Sequence, residues 1–127
     1  MSEGKKFDAE KPRLDLLSSI ALVEVAKVMT YGASKYGSQN WRGGLAWSRV
    51  YAAVQRHLVA WNGGETLDPE TGLSHLAHAS CGLQFLLEYA KTHPQLDDRY
   101  NRIDKEKPFE SENEVETLLS IVQPEKA

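Results

Sequence analysis

The chain predicts an all-α fold, a helical bundle of three to four main helices, and three observations carry that expectation. Apolar residues recur every three and four positions in separate stretches, which is the period of a helix face. Gly-rich and Pro-containing segments that break helices lie between those stretches. No run alternates with period two for long, and no internal repeat is present. At 127 residues the chain is the size of one domain, so 1–127 is read as a single helical unit.

Residues 1–14 are polar and carry Pro12, so they read as an extended arm whose charges can reach a ligand. Ser18 or Ser19 is expected to cap a first helix, in which Ile20, Ala21, Val25, Val28, Met29 and Gly32 follow helical spacing as far as Gly37. The stretch SQNWRGGLAW reads as a loop that folds its two indoles back onto the body. Ser48 is expected to cap a second helix with Val50, Tyr51, Val54, Leu58 and Trp61 on one stripe, ending at Gly63 and Gly64. Asp68 followed by Pro69 signals a helix start, so a third helix is expected from there to Lys91. Its centre, LAHASCGLQFLLEYA, is apolar nearly all round, which makes it the central helix. Residues 95–127 read as a polar tail in which Ser111 and Glu114 form a capping box before a short helix with Leu118, Leu119, Ile121 and Val122. The third helix is more apolar than one protomer of this size covers, so a homo-oligomer, a dimer or tetramer, is expected.

Composition narrows the partners. A formal charge of -3 offers no general positive field for a polynucleotide, so no nucleic-acid partner is expected and a mononucleotide is the easier anion. Cys81 is the single cysteine, which rules out an intrachain disulfide and a thiolate-rich zinc site and suits a reducing compartment. No segment approaches the roughly 20 apolar residues of a membrane span, so no membrane partner is expected and the cytoplasm is the expected location.

The stretch GETLDPETGLSHLAH (64–78) packs Glu65, Asp68, Glu70, His75 and His78 together, and a spacing of three puts both histidines on one helix face. Imidazoles and carboxylates on one face can chelate a divalent ion, although Asp68 alone could be a cap and either histidine alone a satisfied core residue. Glu24, Tyr31 and Lys35 share a face of the first helix, where Glu24 has the alternative of pairing with Lys27. Arg56 and His57 interrupt the apolar stripe of the second helix near the acidic connection. A third group is cationic and aromatic: Lys11 and Arg13 in the arm, then Lys35, Tyr36, Asn40, Trp41 and Arg42. A triphosphate needs cations or metal for its charge and an aromatic face or amide for its base, and both are present. The P-loop, dinucleotide and serine-hydrolase signals are missing, and Cys81 lies where a thiolate is disfavoured.

The blocks FDAEKPRLD (7–15), EVAKVMTYGASKYG (24–37), NW (40–41), RHLVAW (56–61) and GETLDPETGLSHLAH (64–78) together resemble the phage dATP/dGTP diphosphohydrolase family, itself similar to the MazG-like all-α nucleotide pyrophosphohydrolases. The resemblance implies cleavage of dGTP and dATP to the monophosphate and pyrophosphate with Mg2+ or Mn2+, two or more ions. It also implies a phage role in remodelling the nucleotide pool for 2-aminoadenine DNA. MazG-like enzymes hold metal with E-x-x-E and E-x-x-D helices, whereas here the corresponding helix reads HLAH (75–78), and ETLD (65–68) matches only in letters. The expected metal ligands are Glu24, Glu65, Asp68, His75 and His78. Glu65 and His57 are expected to be catalytic, and Lys11, Arg13, Lys35, Tyr36, Asn40, Trp41 and Arg56 to hold substrate. The competing readings are a phosphohydrolase with another substrate or product, a non-catalytic nucleotide-binding assembly protein, and a metal-dependent nuclease.

Overall fold

A computed structural model describes residues 3–100 and 103. Three α-helices order the chain: α1 (Ser19–Tyr36), α2 (Trp47–Asn62) and α3 (His75–Thr92). Single 3-10 turns at Leu14–Leu16, Asn40–Gly43 and Pro94–Leu96 join or follow them. The described residues form no strand, only an isolated bridge between Leu67 and Ser74. The fold is all-helical, as expected, and no helix among the described residues is long and apolar enough to cross a membrane. The short helix expected from Ser111 lies outside the described residues.

α1 begins where its cap predicts: the Ser18 hydroxyl accepts the Ala21 N–H at 3.1 Å, a bond of the kind that contributes about 1 kcal/mol. It ends at Gly37, whose φ of 94° is open to glycine. The other two helix starts differ from expectation. α2 starts at Trp47, so Ser48 lies inside the helix instead of capping it. Its cap comes from fifty residues away: Asp98 accepts the Ser48 N–H at 2.9 Å and the Ser48 hydroxyl at 2.5 Å. Those two bonds hold the Asp98 carboxyl below its ordinary value.

α3 starts at His75, seven residues after Asp68, with Ser74 as cap accepting the Leu76 N–H at 3.1 Å. Asp68 does accept backbone donors, from Glu70 at 2.7 Å and Thr71 at 3.2 Å, but it builds a turn with them. Gly72 at φ 73° and the bond from Asp68 N–H to Leu73 C=O at 2.8 Å turn the chain back, so Asp–Pro opens a tight loop and not a helix.

α3 is the central element and packs against both α1 and α2. Val25 and Val28 of α1 bury against its Ala77 and Cys81, with Met29, Leu73 and Phe85 around them. Trp47 and Val50 of α2 bury against its Tyr89, with Trp41, Phe85 and Leu96 around them. Tyr89 is fully buried and donates its hydroxyl to the Trp41 carbonyl at 2.5 Å, so the loop before α2 is tied to the core. Trp41 of the loop and Trp47 at the start of α2 both fold onto the body, as expected for the two indoles. Gly82 lets α2 and α3 approach closely, because a Cβ there would lie 2.5 Å from Val54 Cγ2.

Gly44 is a second close approach. It sits at φ 95°, and a Cβ would lie 2.7 Å from both His93 Cδ2 and Leu96 Cδ1. Gly44→Ala is expected to destabilise the chain by about 2 kcal/mol through strain and loss of that contact, read as a lower denaturant midpoint. An unchanged midpoint would show that the segment after α3 contributes nothing to holding this loop.

Candidate metal and nucleotide site

Three histidines and an aspartate meet where α2 ends, the Asp68 turn folds over and α3 begins. His57 and His75 face each other with Nδ1 atoms 2.9 Å apart, and Asp68 Oδ2 lies 3.7 Å from His57 Nδ1. One ligand atom from each of the three lies within 4.8 Å of the others. The His78 ring stacks on His57 at 4.5 Å and 6°. The spacing of three between His75 and His78 therefore does bring both to one place.

Behind these rings stand residues that orient them. His75 is buried, and its Nε2 lies 2.7 Å from Glu65 Oε1. A carboxylate only accepts, so the His75 proton belongs on Nε2 and its Nδ1 lone pair points toward His57 and Asp68. Thr71 Oγ1 accepts the Leu73 N–H at 3.1 Å and lies 2.7 Å from His78 Nε2. With Thr71 donating its single hydrogen there, the His78 proton is assigned to Nδ1.

Burial pushes the His57 imidazole below its ordinary pKa of 6.5, reinforced by His78 and His75 and opposed by Asp68. Burial also lowers His78, against the pull of Asp68 and Glu70. At neutral pH both rings are neutral, the state in which imidazole binds metal. Desolvation pushes Asp68 upward, but the N–H groups of Glu70 and Thr71 and the nearby imidazoles outweigh it, so the net shift is downward and the carboxylate stays charged. Cys81, by contrast, is pushed up to about 11 by burial, so its thiol is inert.

The His57, His75 and Asp68 group fits a divalent ion on donor chemistry and on spacing. Two imidazole nitrogens and one carboxylate oxygen suit borderline cations better than an all-oxygen site does. Around an ion with bonds of about 2.1 Å, neighbouring ligand atoms lie about 3.0 to 3.4 Å apart. The observed 2.9 and 3.7 Å bracket that range.

A cavity of about 730 Å³ opens beside this group. That is within the range of ligand pockets, about 300 to 1,000 Å³. His57, Asp68, Thr71 and His78 line it, as do Trp41, Leu45 and Phe85. Its cations are Lys35, Arg49 and Arg56, and Tyr36 and Asn40 also face it. Lys35 pairs with Glu70 at 3.3 Å. Trp41 stacks on Phe85 at 4.6 Å and 7°, and the Arg42 guanidinium lies over the same indole at 4.6 Å. Phe85 and Arg42 both pack over that indole, so Trp41 is wall and not a free stacking platform.

Several expected site residues stand elsewhere. Glu24 is on the exposed side of α1, paired with Lys27 at 2.9 Å, and is not part of the cavity wall. Glu65 lies across the His75 ring from the ligand trio, in a supporting position. Lys11 and Arg13 do not line the cavity, and Arg13 pairs with Asp15 at 2.6 Å. Arg49 was not singled out from the sequence. Its signal is the spacing of seven from Arg56, two turns along one helix face.

The class defined by this fold and site is an all-helical protein in which two imidazoles and a carboxylate that could hold a metal ion adjoin a cavity lined by Lys35, Arg49 and Arg56. The chain belongs to the dATP/dGTP diphosphohydrolase family: the family described as "dATP/dGTP diphosphohydrolase, N-terminal" matches residues 1–99. A dATP/dGTP diphosphohydrolase of Salmonella phage PMBT28 is 42% identical over 96 residues, which are 76% of this chain and 33% of that relative. The chain thus spans about a third of the length of the curated relative it matches. No solved structure matches the chain.

Proposed function

We propose that this chain hydrolyses the purine deoxynucleoside triphosphates dGTP and dATP to the monophosphate and pyrophosphate, using Mn2+ or Mg2+. The observation that carries the reading is the His57, His75 and Asp68 group at one end of a cavity whose wall also holds Arg56 and Lys35. Membership of a family named for this activity supports it. A bound divalent ion offsets phosphate charge and makes water a better nucleophile.

The chain's own residues do the rest. His57, His75 and Asp68 hold the ion, and Glu65 keeps the His75 tautomer that leaves Nδ1 available. Arg56 and Lys35 bind phosphate oxygens, Lys35 exchanging Glu70 for substrate. His78 donates a hydrogen bond from its Nδ1–H to a phosphate oxygen as negative charge develops there. Imidazole ligands favour Mn2+ over Mg2+ in this site.

The same reading extends to the assembly and setting. Ile20 at 79% exposure, Leu87 at 72% and Val59 at 70% are apolar surface suited to a homo-oligomer. A cytoplasmic role in a phage nucleotide pool, removing dATP and supplying dGMP for 2-aminoadenine DNA, follows the resemblance. The deciding test is a nucleotide panel with Mn2+, scored for monophosphate and pyrophosphate together. Equal amounts of both from dGTP and dATP are expected. Release of triphosphate or inorganic phosphate, or no turnover of any nucleotide, would overturn the reading.

A further inference from the structure

We propose that Arg49 reads the base edge of the bound nucleotide, bonding N7 and O6 of guanine, and sets the balance between guanine and adenine substrates. The inference rests on the substrate reading above and adds the residue that discriminates within it.

The two arginines of the cavity wall stand two helical turns apart along α2. Arg56 adjoins His57 at the metal end, whereas Arg49 adjoins Val50, which buries beside Trp41, Phe85 and Tyr89. Seven residues of α2 separate them, a rise of about 10.5 Å, enough for the sugar and purine that extend from a phosphate held beside His57. Between them on the cavity wall stand only the small side chains Ala52 and Ala53 and the buried Val50 and Val54, so α2 leaves that path open.

Arg49 is also unspent. Arg13, Arg42 and Arg99 each face a carboxylate, at 2.6, 3.3 and 2.8 Å. Among the described residues the Arg49 guanidinium makes no hydrogen bond or ion pair. A guanidinium offers a planar set of donors and no acceptor, and it meets N7 and O6 of guanine as a bidentate pair. Adenine shares N7 but carries a donor at position 6, which that fork does not satisfy. Asn40 faces the same cavity with an amide that both accepts and donates, the group that pairs with adenine N6 and N7. Because Phe85 and Arg42 already pack over Trp41, edge contacts rather than stacking on that indole carry recognition of the base.

Arg49→Met and Arg49→Lys in the intact chain test this, measured as kcat/KM for dGTP and dATP and as inhibition by inorganic pyrophosphate. Both variants are expected to lose about tenfold to a hundredfold on dGTP, the scale of one bidentate base contact, and far less on dATP. Pyrophosphate inhibition should stay as in the parent chain. Equal losses on both nucleotides with weaker pyrophosphate inhibition would make Arg49 a phosphate clamp and overturn the proposal. So would unchanged kinetics on both substrates. If the parent chain hydrolyses neither nucleotide, the activity reading has failed by itself. Calorimetric binding of dGMP against dAMP to the parent and Arg49→Met then decides the base reading: loss of a guanine preference supports it, and no difference sinks it.

Discussion

Asp68→Asn is expected to lower dGTP turnover on the order of 10³-fold, equivalent to about 4 kcal/mol of transition-state stabilisation, with helical content unchanged. The substitution separates two jobs of one side chain. Asp68 Oδ1 accepts the N–H groups of Glu70 and Thr71, and the asparagine carbonyl oxygen can take over both bonds and keep the turn. The carboxylate charge, which faces His57 Nδ1 from 3.7 Å, is lost. Glu65→Gln provides the contrast. Glu65 touches His75 Nε2 and lies outside the ligand trio, so its loss should be of the smaller order typical of an orienting partner, about 10- to 100-fold. Steady-state kinetics with Mn2+ on the two purified variants checks both. Full turnover by Asp68→Asn would remove the metal centre from this place, and a Glu65→Gln loss as deep as that of Asp68→Asn would restore Glu65 as a ligand.

That contrast marks what local sequence could and could not convey. The three helical stretches were legible because apolar periodicity and the breaks at Gly37 and at Gly63 and Gly64 are local signals. The Asp68–Pro69 signal misled because the same carboxylate-to-backbone bonds open a helix or close a turn. Gly72, at φ 73°, is the residue that decides for the turn. The cap of α2 was beyond reach, since Asp98 lies fifty residues from Ser48. His75 and His78 were readable as a pair from their spacing, but the meeting of His57 with them depends on the register of α2 against α3. That register is set where Gly82 admits Val54, a tertiary fit that no spacing rule encodes. Glu24 looked equivalent to the other carboxylates because charge and helix position do not say which side faces the cavity, and in the fold it pairs with Lys27 and does not line the cavity.

Binding of the ion should be visible in stability without any turnover. With Mn2+ at a hundred times its dissociation constant, a ligand held only by the native state adds about 2.7 kcal/mol. For a domain of this size that raises the melting temperature by roughly 10 °C. The effect should depend on pH in a direction fixed by the imidazoles. Folded His57 and His78 lie below the ordinary 6.5, so between the folded and unfolded values the unfolded chain binds more protons. Stability of the metal-free chain is therefore full above 6.5 and falls as pH drops through that window. Asp68, held below its ordinary 3.8, adds a second loss only in stronger acid. Protons also compete with the ion for His57, so the Mn2+-induced rise should be largest above 6.5 and shrink as pH falls toward the folded value. Asp68→Asn should remove most of that rise while leaving the imidazole-driven part of the metal-free profile in place, because the two histidines owe their low values first to burial. Differential scanning fluorimetry across pH, with Mn2+ or with EDTA, checks the set. Coincident melting curves in the two media above 6.5 would show that imidazoles only 2.9 Å apart share a proton and hold no ion.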